Sequence, residues 1–239
     1  MIVISSNFFS RTLRKITKHI WAKQTLGHLK SVRRLELEFS LLSFPESGKV
    51  LEIGSGTGWQ AKALQGSGFD VEAIDLDTSK YKEDKIYPVV DYDGHNIPFS
   101  DNTFDVVFSS NVMEHIPRLS EFQAEIHRVL KSDGVAIHVV PSSSWRVWSS
   151  ITCFVKSWKT PEIHGEHANN LLAEIMVFRK KWWGQLFERT GWQIVDIRAC
   201  PIFYTGCSIM DKRLSTRTRE QISHVLGGST NLFVLKGDV

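Results

Sequence analysis

VLEIGSGTGW, residues 50–59, is an apolar run that breaks into three glycines at alternate positions, Gly54, Gly56 and Gly58. A tight strand-to-helix turn needs one glycine. Three at this spacing imply a ligand that comes close to backbone N–H groups which a Cβ would shield. The spacing also narrows the ligand. The dinucleotide fingerprint G-x-G-x-x-G, begun at Gly54, demands a small residue at position 59, where this chain has Trp59. The phosphate loop G-x-x-x-x-G-K-[ST] fails too, because no lysine and hydroxyl pair follows the glycines. What precedes the turn is Glu52, a carboxylate that suits a ligand carrying an amino group and a sulfonium and suits pyrophosphate poorly.

Working outward, strand-like and helix-like segments alternate along the chain. KVLEIG (49–54), VEAIDLD (71–77), YPVVDYD (87–93), FDVVFSSN (104–111) and VAIHVVP (135–141) read as five strands, with WQIVDIRA (192–199) and NLFVLK (231–236) as the sixth and seventh. Helical patterns fall at about 59–65, at SEFQAEIHRVLKSDG (120–134) and at RKKWWGQLFERTG (179–191). This order predicts an α/β, Rossmann-like fold: a seven-stranded, mainly parallel sheet with helices on both faces. In such a sheet the ligand lies outside the carboxyl ends of the strands, where the glycines stand. Asp75 ends the second strand about twenty residues after them, the spacing that ribose recognition needs.

The 239 residues, 42% hydrophobic and 23% charged, fit one α/β domain. Charge is uneven: residues 1–42 hold eight basic and two acidic residues, so the remainder of a chain with net charge +3 is acidic. We therefore separate an N-terminal basic helical arm, 1–47, from a domain spanning 48–239. In the arm, Leu13, Ile16, Ile20 and Trp21 recur at helical spacing, which predicts a helix packed on the sheet with a solvated basic face. The N-terminus fits neither a secretory signal nor a membrane span. Cys153, Cys200 and Cys207 show no pairing or metal-ligand spacing, so free thiols and a cytoplasmic setting are expected.

VLEIGSGTG resembles the first motif of the class I S-adenosylmethionine-dependent methyltransferases, and further matches follow in order over residues 50–141. IDLD resembles the acidic end of the family's second strand, and DGHNIPFSDNTFDVVFSSNVMEHI its third and fourth motifs. EIHRVLKSDGVAIHVVP resembles its helix and fifth strand, with SDG where PGG is usual. The resemblance implies S-adenosylmethionine as cofactor and S-adenosylhomocysteine as product, held by Glu52, Gly54, Gly56, Gly58, Asp75, Leu76, Asp93, Gly94 and Asn111. Asp75 would take the ribose hydroxyls, Leu76 would lie on the adenine, Asp93 would receive the adenine amino group, and Asn111 would lie at the methionine end. From the residues alone, Asp75 as a helix cap and Asp93 as part of an Asx turn stay open. Glu114 and His115 are read as structural.

Methyl transfer is an in-line displacement that asks mainly for alignment and exclusion of water, but a hydroxyl acceptor gains from a nearby base. Residues 142–176 form a substrate-side insertion, read as a long loop, that holds Trp145, Trp148, Phe154 and Trp158 and then HGEH. His164 or His167 is the candidate base, with Glu166 to orient it. A polar cluster that only closes a lid is the competing reading. The spacing does not match H-E-x-x-H, so no metal site is expected. The aromatics line an acceptor pocket, or with Arg146, Lys156 and Lys159 form a helix lying on a membrane interface, or pack on the sheet. Nucleic acid is disfavoured as substrate, because the basic residues sit in the arm and no D-P-P-Y type motif follows the fourth strand. DKRLSTRTRE (211–220) reads as a solvated loop. The expected function is methyl transfer to a small, carrier-linked or lipid-linked acceptor, at oxygen, with peripheral membrane contact as an option. N- or C-methylation, a non-catalytic partner protein of the same fold, and a nicotinamide-dependent oxidoreductase are the alternatives; Trp59 opposes the last.

Overall fold

The computed structural model describes residues 26–158, 161–207 and 214–237. The helical pattern expected around Leu13 to Trp21 lies outside the described residues. Seven strands form one sheet: β1 (Lys49–Ile53), β2 (Asp70–Leu76), β3 (Val90–Tyr92), β4 (Phe104–Ser110), β5 (Leu130–Pro141), β6 (Trp192–Ala199) and β7 (Thr230–Gly237). Their order is β3-β2-β1-β4-β5-β7-β6. β7 runs antiparallel to both neighbours and the other pairs are parallel. The strands read from sequence are all present, with β3 shorter than expected and β5 longer.

Alternation along the strands builds a core on each face of the sheet. Leu51, Ile53 and Val107 join one cluster with Trp183, Phe187 and Trp192. Val50, Val106 and Phe108 join the other with Val32 and Leu37 of helix α1 (Leu26–Leu41). A buried polar network fastens α1 to the far end of the chain. Glu36 Oε2 accepts from Arg33 at 2.6 Å, and its Oε1 accepts from Tyr204 at 3.0 Å and from Thr230 of β7 at 2.7 Å.

Helix α2 (Trp59–Gly66) follows the glycine turn, and α3 (Leu119–Val129) precedes β5. The insertion is not a loop. It holds α4 (Ser143–Ser157), capped by the Ser142 hydroxyl, and α5 (Leu171–Val177), capped by Asn170. These hydroxyl and amide side chains take the N–H groups that the first turn of a helix leaves unpaired. Next come α6 (Lys180–Arg189) and α7 (Thr216–Leu226). The latter overlaps the stretch expected to be a solvated loop; Ser215 caps it, and its Arg219 is buried and donates to the Phe203 carbonyl at 3.1 Å.

A disulfide joins Cys153 of α4 to Cys207, with Cα atoms 5.3 Å apart and a sequence separation of 54. This corrects the expectation of free thiols and removes the ground for a reducing compartment; Cys200 alone is free, and it is buried. Among the described residues no helix is long and apolar enough to cross a membrane.

Candidate active site

The strand order reverses between β1 and β4, and two adjoining cavities open beyond their carboxyl ends. One, of about 710 Å³, is lined by Asp75, Leu76, Asp93, Gly94, Val112 and His115 among others. The second, of about 540 Å³, is lined by Lys30, Arg33, Thr57, Trp59 and Gln60 among others. Gly54, Gly56, Tyr81 and Asn111 border both, so together the cavities form a single trough.

Its floor is the glycine turn. Gly54 has φ +71°, and a Cβ there would overlap the methyls of Val112. Its N–H and that of Ser55 both donate to the Ile74 carbonyl, at 2.9 and 3.1 Å, which ties the turn to the end of β2. Glu52 and Gly58 do not line the trough. Glu52 is 1% exposed beneath the turn and accepts the Ala61 backbone N–H. Burial, reinforced by the nearby Asp75 charge and opposed by that bond, pushes its carboxyl up to about 8.

Such a group holds a proton in the folded chain that the unfolded chain gives up near pH 4.5. The stabilisation it brings is full below that pH and is lost as pH rises through 8. Glu114 is raised to about 8 by the same desolvation. The shifted histidines, lowered from 6.5, carry no opposing change above neutrality. The melting temperature is thus expected to fall by a few degrees between pH 7 and 9, on the order of 1 kcal/mol per carboxyl. Glu52→Gln is expected to flatten part of that slope in a thermal melt.

Asp75 stands at the rim of the larger cavity, its oxygens accepting from the Leu76 N–H at 2.9 Å and the Ser79 hydroxyl at 2.7 Å. Asp93 accepts from the N–H groups of Asn96 and His95 and from the Asn96 amide. The Asn96 and His95 backbone bonds, with the Asn96 amide, hold its carboxyl down at about 2. It is the head of an Asx turn that also faces the cavity, so the two readings of Asp93 coexist. Asn111 takes a left-handed conformation, φ +57°, rare for a residue with a side chain, and so sits at the junction of the two cavities. Seven of the nine cofactor residues read from sequence are brought together here. Lys30, Arg33 and Tyr81 were missed: the two cations resembled a solvated helix face, and Tyr81 lies in a stretch without motif.

The insertion forms a neighbouring wall. Loop 161–170 is fixed through its backbone. The N–H groups of His164 and Gly165 donate to Glu174 Oε1 at 2.5 and 2.9 Å, and the Glu166 N–H donates to the Glu114 carbonyl at 2.9 Å. Glu174 in turn forms an ion pair with Arg146, both fully buried. Arg146 therefore faces inward, which takes it out of the membrane-interface helix, one of the three readings of this segment; Lys159 lies outside the described residues. His164 packs between His115 and Trp145, each ring centroid 4.8 Å away. His167 lies against Trp182 and Trp183, with Nε2 3.5 Å from the Met113 carbonyl. Desolvation, aided by the neighbouring His115, takes His164 down to about 4, and burial lowers His115 and His167 as well. All three are neutral imidazoles at physiological pH. Glu114 and His115, read as structural from sequence, are brought beside His164.

A family model described as a methyltransferase domain matches residues 22–197. The chain belongs to that family, and its sheet is that of the class I S-adenosylmethionine-dependent methyltransferases. A methyltransferase from Aquifex aeolicus superposes with a TM-score of 0.55 at 17% identity, covering 89% of this chain and 98% of the other. The biotin biosynthesis bifunctional protein BioHC of Cellvibrio japonicus is 34% identical over 93 residues, 37% of this chain and 18% of that one. The 24-methylenesterol C-methyltransferase 2 of Arabidopsis thaliana is 30% identical over 107 residues, 40% of this chain and 30% of its own length. The match thus spans well under half the length of these curated relatives.

The trough fits the family's cofactor. It has a glycine floor that a Cβ would fill, an acidic strand end at Asp75 and two cations, Lys30 and Arg33, lining its other end.

Proposed function

We propose that this chain transfers the methyl group of S-adenosylmethionine to a hydroxyl or carboxyl oxygen of a lipid-linked acceptor. The bound cofactor supplies an electrophilic methyl on its sulfonium. Gly54, Gly56 and Asn111 would hold its methionine end, Lys30 and Arg33 its carboxylate, Asp75 the ribose, and Leu76, Asp93 and Gly94 the adenine. Glu52 and Gly58 would act from beneath by shaping the turn. The observation that carries the oxygen acceptor is the imidazole pair at the edge of the trough: His115 lines the larger cavity and His164 packs on it. His164 or His167, which stand behind that edge, would take a hydrogen bond from the acceptor hydroxyl and remove its proton.

A lipid-linked acceptor is supported by the outer face of the insertion. Ile151, Phe154, Val155 and Trp158 are exposed at helical spacing on α4 and its cap, Trp158 to 77%, and Leu172 and Met176 are exposed on α5. A contiguous exposed apolar stripe on a surface helix is what an amphipathic interfacial element requires. The sterol-methylating relative favours one second reading, C-methylation of a lipid, in which the same stripe serves.

The test is incubation with methyl-tritiated S-adenosylmethionine and a total lipid extract. Label is expected in the organic phase, about a hundredfold reduced in His164→Ala with cofactor affinity unchanged. Label confined to aqueous small molecules would overturn the lipid reading, and a methyl–carbon bond in the product would replace O-methylation by C-methylation.

A further inference from the structure

The Glu114 side chain is wholly buried, yet neither of its carboxylate oxygens has a hydrogen-bond partner. A buried carboxyl without a partner is costly, by several kcal/mol once it is ionised, unless a cation takes the place of its proton. The surrounding chain nevertheless holds it rigidly. It belongs to the short 3₁₀ turn Met113–His115, and its backbone carbonyl receives the Glu166 N–H at 2.9 Å. Gly165 lies so close that a Cβ there would stand 2.9 Å from the same carbonyl oxygen, which explains the glycine in HGEH. Two imidazoles stand close to the carboxyl: His115 Nε2 is 3.8 Å and His164 Nε2 3.9 Å from Glu114 Oε1. One ligand atom from each of the three residues falls within 4.8 Å of the others.

We propose that Glu114, His115 and His164 bind a divalent transition-metal cation of the zinc or cobalt type. Two imidazoles and one carboxylate are the donor set of open, three-ligand sites, and imidazole nitrogen favours such ions over magnesium or calcium. Metal–ligand lengths of about 2.0–2.2 Å place tetrahedral ligands roughly 3.3–3.5 Å apart, so the triangle must tighten by about 0.4–1.4 Å. Closing it requires small rotations of His115 and His164, whose side chains are 44% and 38% exposed, His164 moving against Trp145, whereas Glu114 is wholly buried. The ligands come from two segments 50 residues apart, which is why the local spacing of HGEH gives no sign of the site. His167 is turned away toward the Trp182 and Trp183 rings and is not a ligand.

The position gives the ion a use. His115 lines the larger cavity next to Val112 and Asn111, so an open coordination position on that side faces the trough. There it would ligate the acceptor oxygen and favour its deprotonated form, the proton leaving to solvent because a His164 bound to the ion no longer serves as base; this assignment rests on the methyl-transfer reading, and the ion site itself rests only on the three side chains.

The test uses the full chain freed of metal by chelator, titrated with Co²⁺ by visible absorption and with Zn²⁺ by calorimetry. Expected is one ion per chain with the absorption bands of a low-coordinate cobalt site. Affinity should fall tenfold or more in each of Glu114→Gln, His115→Asn and His164→Asn, and stay unchanged in the exposed control His224→Asn. Thermal melts and S-adenosylmethionine titration of the same variants show whether each is folded. No saturable binding at one equivalent, or affinity unaltered in any of the three variants, would overturn the site. Metal binding without cofactor binding would leave the site standing and remove its assigned use; cofactor binding without metal binding would do the reverse.

Discussion

Gly54→Ala is expected to abolish cofactor binding while leaving the protein folded. The residue has φ +71°, a conformation that costs a side-chain-bearing residue about 1–2 kcal/mol. A Cβ would also enter the side chain of Val112, 2.9 Å from its Cγ1 and nearer still to Cγ2, on the segment that carries Asn111. Relief requires the turn to lift away from β2, where the Gly54 and Ser55 N–H groups are bound to Ile74. Since the turn is the floor of both cavities, the combined cost of about 3 kcal/mol or more corresponds to at least a hundredfold loss of affinity. Gly68→Ala is the control: φ there is +98°, but nothing lies within 4 Å of a Cβ, so it carries backbone strain without touching the trough. Calorimetric titration of both variants separates the two effects, and equal affinities would refute the assignment of the floor.

Arg146→Ala is expected to loosen the acceptor wall without emptying the cofactor trough. The substitution strips the buried Glu174 carboxylate of its cation and removes the 2.8 Å bond to the Glu162 carbonyl. Breaking a buried ion pair from one side costs about 3–5 kcal/mol, because the remaining charge is left uncompensated. A chain of this size should then melt roughly 10 °C lower. Glu174 is also what holds the amides of His164 and Gly165, so methyl transfer should fall more steeply than the affinity for S-adenosylmethionine. Replacing both partners by apolar residues, Arg146→Met with Glu174→Leu, should recover much of the melting temperature. It should not recover activity, since the loop amides stay without their acceptor. Full recovery of activity would refute a positioning role for the pair.

The sheet was legible because its strands are short apolar runs bounded by glycine, proline or acidic residues, and VLEI and DVVF are near-continuously buried, as strands covered on both faces must be. The trough was legible for the related reason that its residues cluster at the ends of those strands: Gly54, Gly56, Asp75, Asp93 and Asn111 lie near strand termini and reach it without help from distant segments. Helix α4 was legible only as one of three readings of its aromatics, because serines interrupt its apolar pattern and only the cap at Ser142 signals where it begins. Helix α7 was missed because TRTREQ is polar on nearly every side. The Cys153–Cys207 pair and the Glu114, His115 and His164 cluster depend on contacts across about 50 residues, which no local spacing encodes. Glu52 was assigned to the ligand because it precedes the glycines, whereas the register of β1 turns it beneath them. Lys30 and Arg33 became visible only when α1 was seen against the trough.

The most direct measurement is calorimetric titration of the full chain with S-adenosylmethionine and S-adenosylhomocysteine, with NAD as the control and Asp75→Ala as the comparison. Saturable binding of both sulfur nucleotides at one per chain, weakened in Asp75→Ala and absent for NAD, is the predicted result. A folded chain that binds neither would contradict the account and leave a partner protein built on a methyltransferase fold.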